Sequence, residues 1–262
     1  MALLRQPVFD WRSVANPDVL LNAVWPRPLA YHATTATRDL SPDLVRRLRL
    51  YGVACARMVW DVLSTDARNA VLLSERHADG HATAADLRAA AVRMRYGPVT
   101  HQQQAANAAG WASAGFWREG GEPAVAAEPS WNPAEAAREA AKALATRAAG
   151  PVPTGGNPVA TGWQDAWNGT FAEARAHQAE LVRDIFPPPG HAPVLWGDWL
   201  TSAVTALARQ MDETGDFSAV PILADALQDA GCDDDAMLDR CRADAGVHCR
   251  GNWVVDLVLG RE

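Results

Sequence analysis

The chain has 262 residues, 48% of them hydrophobic and 21% charged, with a formal net charge of −7. That length admits one large domain or two small ones, and the apolar content excludes wholesale disorder. No apolar run reaches the roughly eighteen residues of a membrane span. The acidic balance argues against nucleic acid as the principal partner, because phosphate binding needs concentrated positive charge.

The first forty residues read as irregular, since Trp25-Pro26-Arg27-Pro28 forbids a helix there. Ser41-Pro42-Asp43 is an N-cap, a proline at the first helical position and an acid in the first turn. Leu44, Leu48, Tyr51, Cys55, Met58, Val59 and Val62 then share one face, predicting an amphipathic helix over 42–63. Arg46, Arg47 and Arg57 fall largely off that face, and Arg46, Arg47 and Arg49 read as a solvated edge. A second helix is predicted over 66–79, stopped by Gly80. Thr83 to Asp86 forms a capping box opening a third, which Gly97-Pro98 ends. An alanine- and glutamine-rich fourth is predicted over 99–117.

Residues 119–130 are a glycine- and proline-bearing loop. Asn132-Pro133 opens a helix of Ala, Glu and Arg, with the single Leu144 to bury. A second loop covers 150–158. Further helices are predicted over 163–185, 200–211, 218–230 and 253–259, with Pro187-Pro188-Pro189-Gly190 and Gly231 as stops and Asp233-Asp234-Asp235 as a cap. No period-2 strand with a partner is present. The predicted fold is all-α, a multi-helix bundle of antiparallel hairpins. It reads as one unit over 1–262, or as two helical halves, 1–118 and 162–262, flanking the loops and Ala-rich helix of 119–161.

Only Lys142 among the 24 basic residues is lysine, a bias that fits a GC-rich bacterial genome. The four cysteines are too sparse for a disulfide framework, and Met1 to Pro7 lacks the features of a secretory signal. A cytoplasmic protein with free thiols is expected.

The strings Leu223-Ala224-Asp225-Ala226-Leu227 with Ala230-Gly231-Cys232, and His248-Cys249-Arg250-Gly251-Asn252-Trp253-Val254-Val255-Asp256-Leu257-Val258-Leu259-Gly260, form a C-terminal block. This block resembles the ending of a large group of uncharacterised bacterial proteins, common as paralogues in planctomycete-type genomes. Arg47 to Trp60 and Glu75 to Gly80 resemble that group's first two helices. The resemblance implies a helical fold and supplies no reaction, substrate or partner. The chain departs from the group at Asn252, where the group carries cysteine, and at Arg57 and Met58, where the group carries further cysteines after the one matching Cys55.

Cys232, Cys241, His248 and Cys249 are the candidate metal ligands, but no pair has the two-to-four-residue gap that turns two ligands toward one ion. His77 and His81 are four apart, with Gly80 between them and alanine where a metalloprotease carries glutamate. Cys249 beside His248 is an adjacency rather than a dyad. Asp233-Asp234-Asp235 lacks the calcium-loop pattern and reads as a cap. The densest apolar run, Trp253 to Leu259, predicts a keystone helix, and Asp256 interrupts it either as a buried carboxylate that needs a donor or as an acid facing water on an amphipathic helix. His248, Arg250 and Asp256 are therefore the candidate polar cluster. Eleven tryptophans favour a binding role. The expected function is a non-enzymatic helical protein-interaction module with a protein partner and no cofactor, in regulation or bacterial conflict. The alternatives are a Cys/His metal-binding protein and an enzyme with an unfamiliar site.

Overall fold

The computed structural model describes residues 9–25, 41–87, 89–90, 133–153 and 162–261, and among these every regular element is helical, with no strand. Its helices are α1 (Pro17–Val24), α2 (Pro42–Arg57), α3 (Thr65–Ala78), α4 (Pro133–Ala149), α5 (Trp163–Ile185), α6 (Ser202–Thr214), α7 (Val220–Asp229), α8 (Asp235–Cys241) and α9 (Trp253–Val258). The fold class is all-α. The helix expected over 99–117 lies outside the described residues.

Local chemistry sets most of the starts. Ser41, Ser64, Thr201 and Asp234 each accept a backbone N–H of the first turn through the side chain. Thr83 and Asp86 close the reciprocal box, with Thr83 N donating to Asp86 Oδ2 at 2.8 Å and Asp86 N to Thr83 Oγ1 at 3.2 Å. Helix α2 is shorter than its apolar face suggests, and Trp60–Val62 continue as a 3₁₀ turn. The N-terminal stretch is not wholly irregular. Asn16 caps α1, and its side chain accepts from Asp18 N at 3.0 Å. The Asn16-Pro17-Asp18 start signature is of the kind seen at α2.

Two apolar cores result. The N-terminal one lies among α1 to α5 and consists of two neighbouring clusters, Leu20, Leu21, Leu48, Leu50, Tyr51, Val182 and Ile185 in one and Val53, Val59, Val71 and Ala140 in the other. The C-terminal one lies among α6 to α9 and holds Met211, Leu223, Leu227, Met237, Trp253 and Val254. Helix α5, grouped by sequence with the C-terminal half, packs against α1, α2 and α4 and also touches the C-terminal half through Glu180 and Asp184. Helix α4 is not a weakly buried element. Ala134, Ala136, Ala137, Ala140, Ala141 and Ala145 are all fully buried. Small side chains let helix backbones approach closely, so burial here needs no large residues. Trp163 Nε1 donates to Gly150 O at 3.0 Å, Trp167 Nε1 to Thr146 Oγ1 at 3.3 Å and Gln178 Nε2 to Ala137 O at 2.7 Å, so α4 and α5 run antiparallel. Among the described residues no helix is long and apolar enough to cross a membrane.

Candidate functional site

The two cores are joined by charge. Arg46, on the second turn of α2, donates from Nη1 to Asp256 Oδ2 at 2.5 Å and from Nη2 to Asp79 Oδ1 at 2.9 Å. Asp79 caps the end of α3, and its other oxygen accepts from Arg250 Nη1 at 3.0 Å. Arg250 Nη1 also reaches Asp212 Oδ1, in the last turn of α6, at 2.8 Å. Arg261 closes the chain on Asp212 with a two-pronged contact of 2.6 and 2.5 Å. Three guanidinium groups and three carboxylates thus alternate and their formal charges cancel. The side chains of Asp256, Asp79 and Arg46 are only 3%, 8% and 13% exposed, which places these pairs in the protein rather than on its surface.

Burial pushes the Asp256 carboxyl above the usual carboxylate range despite the pull of Arg46. Burial also works against the Arg46 cation, but Asp256 and Asp79 outweigh it and raise its pKa. At Asp212 burial is outweighed by Arg261 and Arg250, which hold the carboxyl below its ordinary value.

A second polar centre surrounds Asp184, in the last turn of α5, whose side chain is fully buried. His248 Nδ1 lies 2.7 Å from Asp184 Oδ1, and because a carboxylate only accepts, Nδ1 carries the hydrogen. Asn252 Nδ2 donates to the same oxygen at 2.7 Å, and Cys249 N donates to Oδ2 at 3.0 Å. Arg240 Nε stands 3.5 Å away. Asn252 also caps α9, its Oδ1 accepting from Val254 N and Val255 N. Between these contacts Gly251 has φ +92°, and a Cβ there would lie 2.8 Å from Leu50 Cδ1 of α2. Only glycine serves both the left-handed turn and that close approach.

The candidate cluster of His248, Arg250 and Asp256 divides. His248 faces Asp184, Arg250 faces Asp79 and Asp212, and Asp256 takes Arg46, 210 residues away in sequence. Arg250 and Asp256 belong to one network indirectly, through Asp79 and Arg46 on one side and through Asp212 and Arg261, 4.0 Å from Asp256, on the other. The turn at Gly251 is the reason, because it splays neighbouring side chains toward different helices. The solvated reading of the α2 arginines fails outright. Arg47 and Arg49 are 8% and 6% exposed, Arg47 Nη1 donates to Ile185 O at 2.9 Å and Arg49 Nη1 to Ser74 Oγ at 3.4 Å.

The candidate metal ligands separate as well. Cys232 and Cys241 lie in the C-terminal core, while Cys249 packs against the N-terminal one. Gly80 has φ +76° between His77 and His81, and His77 Nδ1 lies 2.7 Å from Ala82 O. Among the described residues no group of three His, Cys, Asp or Glu is placed to hold an ion. Burial pushes the Cys55 thiol up to about 12 and raises those of Cys232, Cys241 and Cys249, so the four sulfurs are thiols rather than nucleophilic thiolates at neutral pH. Cys249 Sγ points to Asp184 at 3.6 Å rather than to His248, so no Cys–His dyad forms. A cleft of about 450 Å³ opens between α2 and the Pro187–Pro189 turn, but its buried arginine, Arg47, is already spent on Asp43 and Ile185 O.

Asp79, Asp184 and Asp212 were missed by sequence reasoning. A signal existed: all three stand at helix C-terminal ends, where the helix dipole disfavours an acid. An acid in that position calls for a cationic partner from elsewhere in the fold. Comparison with known proteins finds no matching family model, curated protein or solved structure.

Proposed function

We propose that the protein is a non-enzymatic helical protein-interaction module, with its binding surface on the C-terminal unit. The observation that carries this reading is the run Val194–Leu200, where Val194 is 59%, Trp196 61% and Leu200 39% exposed. Large apolar side chains scattered singly are ordinary on a surface, whereas three within seven residues mark a contact area. The interior chemistry supports the reading from the other side. The buried acids Asp79, Asp184 and Asp256 are engaged with arginines and capping groups that hold the two cores together, and the thiols are unreactive.

Affinity capture of the tagged chain under native conditions, with crosslinking before lysis, tests the proposal. A protein recovered in constant proportion with wild type, and lost when Val194 and Trp196 are both replaced by Asp, is the expected result. Recovery of the tagged chain alone contradicts it.

A further inference from the structure

The segment leading into Trp199 is held at both ends and exposed between them. At its start, His191 Nε2 lies 3.1 Å from Asp234 Oδ2, and the His191 ring meets Trp253 edge-on with centroids 5.8 Å apart. At its end Trp199 is 7% exposed in the C-terminal core, and Leu195 packs against the same core. The stretch between alternates. His191, Pro193 and Leu195 are partly buried, and Ala192, Val194 and Trp196 are exposed. Pro193 holds Ala192 extended, and Trp196 is extended with φ −75° and ψ 138°. Among the described residues no backbone or side-chain group pairs with the amides of Val194, Leu195 or Trp196. A large indole is presented on an extended strip whose two ends pack on the C-terminal core.

The C-terminal region that carries the strip has an acidic excess. Residues 190–262 carry thirteen Asp and Glu against five Arg and no Lys, which is more than the whole excess of −7. Three of those arginines, Arg240, Arg250 and Arg261, are engaged with acids inside the fold. Asp198 is exposed two residues beyond Trp196 and has no ion pair among the described residues. The contact of His191 with Asp234 brings the exposed Asp233 and Asp235 to the other end of the strip. An exposed indole face attracts a cation through its quadrupole, and acids on either side select for the same charge.

Building on the interaction reading above, we propose that Val194, Trp196 and Asp198 form a docking ledge for an extended, cationic segment of a partner protein. An Arg or Lys side chain of that segment lies over the Trp196 indole, an apolar neighbour rests on Val194, and Asp198 takes the next positive charge.

The test uses the full chain and a labelled nona-arginine peptide, with nona-glutamate as the opposite-charge control, at low salt. Nona-arginine binds wild type and nona-glutamate does not. Trp196→Ala weakens nona-arginine by about three- to fivefold, the scale of an exposed cation–π contact. Asp198→Asn weakens it by about twofold or more, and Glu213→Gln, away from the strip in sequence, leaves it unchanged. All three side chains are exposed, so unchanged circular dichroism is expected of each variant. Equal binding by wild type and Trp196→Ala overturns the ledge, as does self-association of the chain that Trp196→Ala abolishes. Capture under native conditions separates the two proposals. A partner retained equally by wild type and Trp196→Ala leaves the interaction reading standing and removes the ledge. Capture of no protein removes the interaction reading and the ledge with it, even where nona-arginine binds through Trp196.

Discussion

The α4–α5 contact and the seam between the two cores are both buried, yet they are built from opposite materials. In the first, fully buried alanines of α4, Ala134 and Ala137 among them, pack with Ala179 and Val182 of α5, and the side-chain bond Gln178 to Ala137 O crosses the contact. In the second, Arg46, Asp79, Arg250, Asp212, Arg261 and Asp256 hold one another, with Asp184 as a separate hub. An apolar contact depends on volume and forgives small shifts. An ionic seam depends on every member being present, because removing one leaves a buried charge behind. The two regions should therefore fail in different ways.

The largest loss is expected at Asp184. Asp184→Ala strips the acceptor from His248, Asn252 and Cys249 N and leaves Arg240 with Glu180 alone. It should cost about 4 kcal/mol in urea unfolding. A loss below about 1 kcal/mol would show that the hub is not needed. At the alanine contact the sign of the size change matters. Ala137→Leu, in the cluster shared with Ala179 and Val182, should cost about 2 kcal/mol by overpacking, whereas Ala137→Gly should cost about 1 kcal/mol through helix propensity. Equal tolerance of both would show that α4 and α5 are not closely apposed. Gly251→Ala should cost more than about 1 kcal/mol, since it meets Leu50 and strains a positive φ. A neutral outcome would place the turn farther from α2.

The smallest effect is the pH dependence. The Asp212 pKa is depressed in the folded state, so its contribution to stability is complete above the ordinary 3.8 and is lost as pH falls through the lower folded value. The Asp256 pKa is raised, so acid relieves its burial penalty and acts in the opposite direction. Wild type should thus be more stable than Asp212→Asn at about pH 5, with the gap closing below the ordinary value. A gap that widened in acid would reverse the assignment.

The sequence carried the helices better than the seam. Ser41-Pro42-Asp43 and Asp234 act through their own backbone neighbours, so their caps are readable locally. Asn16-Pro17-Asp18 carried the same signal but sat in a stretch dominated by the prolines after Trp25. Helix α4 escaped a hydrophobicity reading because alanine produces no apolar stripe even when fully buried. The density of Trp253–Leu259 left Asp256 two readings, a buried acid that needs a donor or an acid facing water. Its partner was not legible, since Arg46 is distant in the chain and follows the pattern of a solvated helix edge. The acids at the ends of α3, α5 and α6 were the readable trace of the seam.

The C-terminal block is joined to α2 by a specific ion pair, Arg46 with Asp256, within a buried network. A double-mutant cycle on Arg46→Met and Asp256→Leu, followed by urea unfolding, tests it most directly. Each single variant leaves its partner's charge buried and should lose about 3 kcal/mol. The double variant removes both charges and should lose less than the sum by about 2 kcal/mol or more. Losses that add within about 0.5 kcal/mol would contradict the claim, showing that the two side chains contribute independently.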